Sequence, residues 1–547
     1  MTPKLTAATL ALICALASTA AAQPVGGHVF EDANGDGVRQ SNEPAIPGVL
    51  VSNGIEVVET DDAGLYRLSA PSHGAIFVIQ PPGFSVRRDQ TNTPRFYRLF
   101  RPSNGPDLGY LSPAPSGPLP PSLDFGLSRG GPGSQFRALV FADPQPTTDA
   151  ELTFVRDDFL ADAAKQRTDF ALGLGDLMND DLALIPRYQD LLGTMGVPVW
   201  SVAGNHELNF RSPNDTYSLE TFSRFFGPSR YAFMAGEAVF IVLDNVHYLG
   251  AGSSKSPNPR EIGAYRGEIG QEQLRFVANL LARIPQDRLV VIALHIPLQG
   301  TWSGDNVNTA DREALIALLC KRQNVVVMAG HMHNADHRYL PCPERAQSRE
   351  VHQHTLSAVS GSWWSGPMDA RGIPVSMQTD GAPNGYYVLE VDGVRYRTRF
   401  FPQSEPADRQ MRITLDTMFY RYSKWAMRDY RWGEIATRPI TTDHLPGAQV
   451  YVNLFDGGPK SRVFVRFGER PEVELTREVE NDPAAEELFF RAEGVRLNLT
   501  ASPSTHLWRG PLPTDLPPGV HVIHARGVDE FGQEHSARSF IEVLAPR

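Results

Sequence analysis

The chain changes hydrophobic rhythm twice. From Gly26 to about Leu127, short alternating runs such as Val49-Leu50-Val51 and Tyr66-Arg67-Leu68 are separated by Gly, Pro, Asn and Asp turns. A period of two with frequent turn signals predicts a small β-sandwich. The stretch Pro113 to Pro121, followed by Gly130 to Gly133, is rich in Pro, Gly and Ser and marks a change of domain. From near Gln135 to about Phe401, apolar β-branched runs alternate with helix-length amphipathic segments, the pattern of an α/β layer fold. Predicted strands are Ala138 to Ala142, Phe170 to Leu174, Val197 to Val202, Val239 to Leu243, Leu289 to Leu294 and Val325 to Ala329, and predicted helices include Leu152 to Gln166, Glu272 to Ile284 and Arg312 to Lys321. Beyond Ala407, runs such as Arg462-Val463-Phe464-Val465-Arg466 and Val520-His521-Val522-Ile523 return to a strand rhythm and predict a second β-sandwich.

The N-terminal segment Met1 to Ala22 stands apart. It carries one cation, Lys4, then the apolar stretch Ala7 to Ala17 and small residues up to Ala22, the three-part shape of a secretory signal. The apolar stretch is well short of the ~20 residues that span a bilayer. No other membrane-length apolar run occurs, so an exported, periplasmic or secreted chain is expected without a transmembrane segment. The expected division is therefore 1–22 signal, 26–128 first β domain, 129–134 linker, 135–402 central α/β domain and 407–547 second β domain.

Charge narrows the partners. Fifty-one Lys and Arg against 62 Asp and Glu give a net charge of −11, so no global positive field draws in polyanions and extended nucleic-acid binding is not expected. Cys14 falls in the signal-like segment, which leaves Cys320 and Cys342. In an oxidising compartment these two either pair or remain isolated thiols.

The chemistry lies just past the end of each central strand. There the buried run stops and a metal-competent side chain follows: Asp143 and Gln145, then Asp176, then Asn205 and His206, then His295, then His331 and His333. In open α/β sheets the carboxyl ends of the strands line one crevice, so these distant positions can converge. A lone histidine is more often a satisfied structural residue than a ligand, but a series at successive strand ends is hard to obtain by accidents of packing. Carboxylates, amides and imidazoles without a thiolate suit Mn, Fe, Zn, Co or Ni and disfavour a structural Cys-ligated zinc. Two divalent ions beside Asp143 and Asp176 leave a net positive charge that suits a phosphate, and a two-metal site can hold both the attacking and leaving oxygens of an in-line displacement.

The blocks Asp143-Pro144-Gln145, Gly175-Asp176 with Asp180, Gly204-Asn205-His206-Glu207, His295 and Gly330-His331-Met332-His333 resemble the calcineurin-like metallophosphoesterase superfamily. The overall layout is similar to a bacterial exported subgroup with flanking N-terminal and C-terminal β domains. The resemblance implies a central metallophosphoesterase β-sandwich with flanking helices. It implies two divalent transition metals, with Asp143, Gln145, Asp176 and His333 around one and Asp176, Asn205, His295 and His331 around the other, Asp176 bridging. His206 is then not a ligand but faces the substrate and assists the leaving oxygen. One block departs from the family pattern, since Gln145 stands where D-x-H usually places a histidine, and an amide oxygen is the weaker ligand. Asp180 reads as a residue behind the ligands or at a helix start, and Asp244 as structural.

Two further features are candidates. In Ser360-Gly361-Ser362-Trp363-Trp364-Ser365-Gly366 the paired tryptophans are candidate pocket-wall residues, against the bland reading that at least one packs in the core. Asp32, Asn34, Asp36 and Glu43 match the spacing of an EF-hand loop, but strand-like text on both sides contradicts its helices. The segment resembles the calcium-binding turn of adhesin-type repeat sandwiches, and a plain Asn/Asp/Gly turn is the alternative. The segments Tyr451 to Gly457 and Ser504 to Trp508 fit the resemblance but carry no chemistry that the sequence reveals. The expected function is an exported metal-dependent phosphoesterase acting on a small phosphorylated mono- or diester. The rival is a surface binding protein with a degenerate phosphoesterase domain.

Overall fold

The computed structural model describes residues 23–103, 105–255, 263–343, 349–403, 405–416, 439–491 and 499–546; the signal-like segment Met1 to Ala22 lies outside them. The centre is built from two sheets. A five-stranded sheet orders Val199–Ser201, Phe170–Gly173, Gln135–Phe141, Gly385–Asp392 and Arg395–Pro402, the first three strands parallel. A six-stranded sheet orders Tyr231–Ala235, Ala238–Val242, Leu289–Ala293, Asn324–Ala329, Glu350–Thr355 and Asp336–Pro341, its four inner strands parallel and both edge strands antiparallel. The inner strands read as continuous apolar runs rather than alternations because both of their faces are buried. The two sheets pack face to face, with Phe136 and Phe170 of one against Phe240 of the other.

Helices cover the outer faces. Helix Gly270–Leu281 buries Leu274, Val277 and Leu281, spaced at three and four residues, in the core shared with the six-stranded sheet. Outside the five-stranded sheet, the predicted single helix Leu152 to Gln166 is instead interrupted. Thr148 caps helix Asp149–Phe154, then a π-helical turn, Val155–Leu160, precedes Ala161–Ala163. The turn rotates Asp158 inward, where its carboxylate accepts from Asn384 Nδ2 at 3.0 Å.

The flanking segments are β structures, as expected. Before the centre lie two four-stranded sheets, and after it a four-stranded and a five-stranded sheet. The N-terminal sheets merge their apolar core with the centre, Phe77 meeting Phe276 edge-on and Phe96 meeting Trp200 and Tyr231. The C-terminal sheets keep a separate core around Val452, Val465 and Trp508, and several of their contacts with the centre are polar. Cys320 and Cys342 form a disulfide, which ties the end of helix Arg312–Leu319 to the edge strand Asp336–Pro341.

Candidate metal centre

All the parallel strands end at one edge of the stacked sheets, and the side chains singled out in the sequence meet there. Asp143, Asp176, Asn205 and His206 come from the five-stranded sheet, and His295, His331 and His333 from the six-stranded one. The loops that carry them are tightly constrained. Among the described residues nine non-glycine residues have positive φ, and eight of them are Asp143, Gln145, Asp176, Asp180, His331, His333, Trp363 and Trp364. Left-handed backbone at such residues costs of order 1–3 kcal/mol each and persists only where surrounding contacts enforce it. The enforcing contacts are mutual: His331 N donates to both oxygens of Asp143 at 3.0 and 2.9 Å, Gln145 N to Asp176 O at 3.2 Å and His206 N to Asp176 Oδ1 at 3.0 Å. Two glycines permit this approach. A Cβ on Gly204 would sit 2.2 Å from Asp176 Oδ1, and one on Gly330 would sit 2.6 Å from Asp143 Oδ2.

Hydrogen bonds to main-chain carbonyls fix the tautomers of the histidines. His295 Nδ1 faces Leu174 O at 2.8 Å and His331 Nε2 faces Asn306 O at 2.8 Å, and a carbonyl only accepts, so those nitrogens carry the protons. In the neutral rings His295 Nε2 and His331 Nδ1 are therefore lone pairs, and they lie 3.1 Å apart. Asn205 Oδ1 stands 3.1 Å and Asp176 Oδ1 3.2 Å from the same His295 Nε2. Four lone pairs converging on one point repel unless a proton or a cation sits between them. Burial opposes charge on His295, but the Asp176 carboxylate outweighs it and lifts the imidazole to about 9. Burial, with His295 beside it, drives His331 down to about 3 and keeps it neutral.

A second set lies on the other side of Asp176. His333 Nδ1 donates to Gly361 O at 2.6 Å, which leaves Nε2 as a lone pair 3.8 Å from Asp143 Oδ1. Gln145 Nε2 donates to Asp176 Oδ2 at 2.6 Å. His333 Nε2 and Gln145 Oε1 are both buried and have no hydrogen-bond partner. Two orphaned acceptors beside two buried carboxylates fit a divalent cation, which would restore what burial has taken from them. Burial, reinforced by Asp176 and only partly offset by His295, pushes the Asp143 carboxyl up to about 8. Burial would raise Asp176 too, yet His295 and His206 hold it well below the usual carboxylate range. The residues present thus fit two metals, with Asp176 able to reach both.

His206 belongs to neither set. Its Nδ1 lies 2.6 Å from Asp180 Oδ1, and its Nε2 points past Asp176 Oδ2 at 3.9 Å. Burial disfavours the charged ring, but Asp176 and then Asp180 overcome it and raise His206 to about 10. Asp180 thus stands behind the ligands, as expected, and orients this histidine, a partner that the sequence did not name. Glu207 was likewise not singled out by the sequence pattern as a functional residue. Its carboxylate accepts from Met178 N at 2.9 Å and Gly204 N at 2.8 Å and ties two ligand loops together.

The two tryptophans separate. Trp363 stacks on the His333 ring with centroids 4.2 Å apart and remains at the face of the site. Trp364 is not a wall residue but the one that packs in the core: it is 5% exposed, packs on Phe154 and donates from Nε1 to Pro144 O at 2.8 Å. It is a core residue that braces the Asp143–Gln145 loop, because its bulk and single donor are both satisfied inside. In the N-terminal sheets, Asp32 accepts from Gly35 N at 2.8 Å and Gly37 N at 2.9 Å, and Glu43 accepts from Ala33 N at 3.1 Å and Gln40 N at 2.9 Å. Asn34 Oδ1 and Asp36 Oδ1 cap the backbone two residues on. Strands Pro24–Glu31 and Leu50–Ser52 flank the loop, as expected, in place of helices.

Comparison with known proteins supplies the identity of this centre. The family profile described as calcineurin-like phosphoesterase matches residues 136–335, which hold every one of the candidate ligands. Profiles for the N terminal and the C terminal of calcineurin-like phosphoesterase match residues 33–107 and 353–535. The chain belongs to the calcineurin-like phosphoesterase family. Such a phosphoesterase is a metal-dependent hydrolase of phosphoric esters, and the family implies two divalent ions. Among solved structures, a dimetal phosphatase from Danio rerio is 15% identical, with a TM-score of 0.31, and the match covers 48% of this phosphoesterase and 98% of that chain. Purple acid phosphatase PPD1 from yellow lupin (Lupinus luteus) seeds is 15% identical, with a TM-score of 0.35 and coverage of 70% and 68%. No curated protein matches the phosphoesterase.

Proposed function

We propose that the chain is an exported phosphoesterase that hydrolyses small phosphate mono- or diesters. One cation would be held by Asp143, Gln145, Asp176 and His333, the other by Asp176, Asn205, His295 and His331, and His206 would be the proton donor. The observation that carries this reading is the convergence of four lone pairs, from His295, His331, Asn205 and Asp176, beside the orphaned Gln145 and His333 acceptors. When bound, the two cations supply Lewis acidity toward phosphate oxygens and lower the pKa of water. The chain's own contribution is orientation: carbonyls of Leu174, Asn306 and Gly361 fix the three ligand imidazoles in one tautomer each. Asp180 holds His206 with Nε2 directed into the cleft, so the ring can pass its proton to a departing alkoxide.

Export is supported by the signal-like Met1 to Ala22 and by the Cys320–Cys342 disulfide, a bond favoured in oxidising compartments. Among the described residues no helix is long and apolar enough to cross a membrane. The flanking β domains, taken as 26–128 and 407–547, frame the central domain 135–402 in this proposal.

The test is turnover of p-nitrophenyl phosphate and bis(p-nitrophenyl) phosphate by the chain from Gln23 onward after reconstitution with Mn, Zn, Fe, Co or Ni. Turnover with both metal sites of the centre filled is expected, and the preferred ester assigns the substrate class. No turnover together with an unfilled centre would return the chain to the binding-protein reading.

Calcium in the 32–43 loop is part of the same proposal, supported by a loop already closed around Asp32 and Glu43. At a calcium concentration of 100 times Kd, binding would add about 2.7 kcal/mol to stability. Scanning calorimetry should show Tm rising with calcium in the native chain and not in Glu43→Gln. An unchanged Tm would leave the loop a plain turn.

A further inference from the structure

We propose that His337, His354 and Asp456 form a separate site for one structural divalent cation of the zinc type, which clamps the C-terminal sheets onto the central domain. The three residues come from both sides of that junction. His337 on the edge strand Asp336–Pro341 and His354 on its neighbour Glu350–Thr355 are directly opposed in the antiparallel register, so their side chains share a face. Asp456 follows strand Gln449–Leu454 of the C-terminal sheets. Its Oδ1 lies 3.3 Å from His337 Nε2 and 2.9 Å from His354 Nε2, and the ligand atoms of all three residues lie within 4.8 Å of one another. A tetrahedral zinc with bonds of about 2.0–2.1 Å needs ligand atoms about 3.3 Å apart, close to both measured separations.

The surroundings point to a cation rather than to a finished hydrogen-bond network. His337 is 1% exposed, and its Nε2, although 3.3 Å from Asp456 Oδ1, is outside hydrogen-bond geometry. A buried ring nitrogen that faces a carboxylate without a well-formed hydrogen bond is costly unless a cation sits between them. The far side of the ring is already supported: His337 Nδ1 meets His352 Nε2 at 2.9 Å, and His352 Nδ1 meets the Tyr396 hydroxyl at 2.6 Å. Outer partners of this kind fix the tautomer of a ligating imidazole. Glu530, which accepts the Tyr339 hydroxyl at 2.6 Å, adds negative charge beside the site. Gly458 lies flat on His337, where a Cβ would meet its Cβ at 2.6 Å, so the C-terminal loop is pressed onto the trio.

Metal content of the full chain, equilibrated with zinc and then desalted, tests the proposal. The native chain should hold one zinc more than Asp456→Asn, which should keep ester turnover within about two-fold. A variant with the catalytic ligands Asp176 and His331 both replaced by alanine should still bind cobalt(II) with the strong visible absorption of a tetrahedral site, and adding Asp456→Asn should abolish it. If Asp456→Asn does not fold, His337→Gln makes the same comparison. Equal zinc content in the native chain and the folded variant, with no tetrahedral cobalt spectrum, would overturn the site and leave a His-His-Asp hydrogen-bond relay. Loss of turnover in the native chain with the extra zinc retained would sink the proposed function alone.

Discussion

Asp176→Ala is expected to lower ester turnover by at least a factor on the order of 10³ and to remove metal from both sites of the catalytic centre. Three separate functions rest on this carboxylate. Oδ1 lies by the His295 and Asn205 lone pairs, Oδ2 takes the Gln145 amide, and Oδ1 also accepts the His206 main-chain N–H. Its charge is the largest influence that raises His206, so the variant weakens the hold on the donor's proton as well as losing the cations. Deleting a single charge-stabilising group in an active site commonly costs about 10²–10³ in rate, and here three contributions fall together. Asp176→Asn keeps the shape without the charge and should retain the fold but not the second cation. The measurement is kcat beside metal content by mass spectrometry. Full metal content with turnover intact in Asp176→Ala would show that the ions bind elsewhere.

His206→Ala should show a loss that depends on what is leaving. For an alkyl phosphate, whose alkoxide needs a proton, a fall of about 10²–10⁴ in kcat is expected from removal of a general acid. For a p-nitrophenyl ester, whose leaving group is stable as an anion, the fall should be far smaller. The pH dependence follows from the direction of the shift. A histidine raised toward about 10 is protonated through neutral pH, so the acid form is present below that value and is lost as pH rises through it. Cations shared with Asp176 weaken the field that raises it and bring this alkaline limb lower. Asp180→Asn removes the second carboxylate, so the limb should move further down while KM changes little. Equal losses for both classes of ester, or a limb unmoved in Asp180→Asn, would assign His206 to positioning instead.

The strands and ligand blocks were legible because each element is long, strongly apolar and followed at once by a polar residue. The predicted strand Leu289 to Leu294 is found as Leu289–Ala293, and His295 follows it on the expected edge. The two stacked sheets that bring the halves of the centre together were expected only through the family resemblance; strand rhythm alone does not assign strands to one sheet or the other, since membership is decided by pairings between distant segments. Nor could the sequence distinguish Trp363 from Trp364, neighbours of one type whose fates depend on whether Pro144 O or His333 lies within reach. The π turn at Val155–Leu160 was invisible for the same reason: the periodicity fits a plain helix, and only the buried Asp158 partner accounts for the inserted turn. His337, His354 and Asp456 passed unnoticed because each is an isolated polar residue in its own segment, paired only by the register and the returning C-terminal loop.

The left-handed residues of the ligand loops have a consequence for protein engineering. Glycine at His333 or Asp143 would relax the backbone and shed an unpaired ring or a carboxylate that burial disfavours, so a library screened in metal-free form for heat resistance alone would favour such changes. Catalytic power and thermal endurance are thereby set against each other at the same few positions. A screen for durable variants of this phosphoesterase needs turnover as a second criterion, or its winners will be well-folded proteins with no reaction to perform.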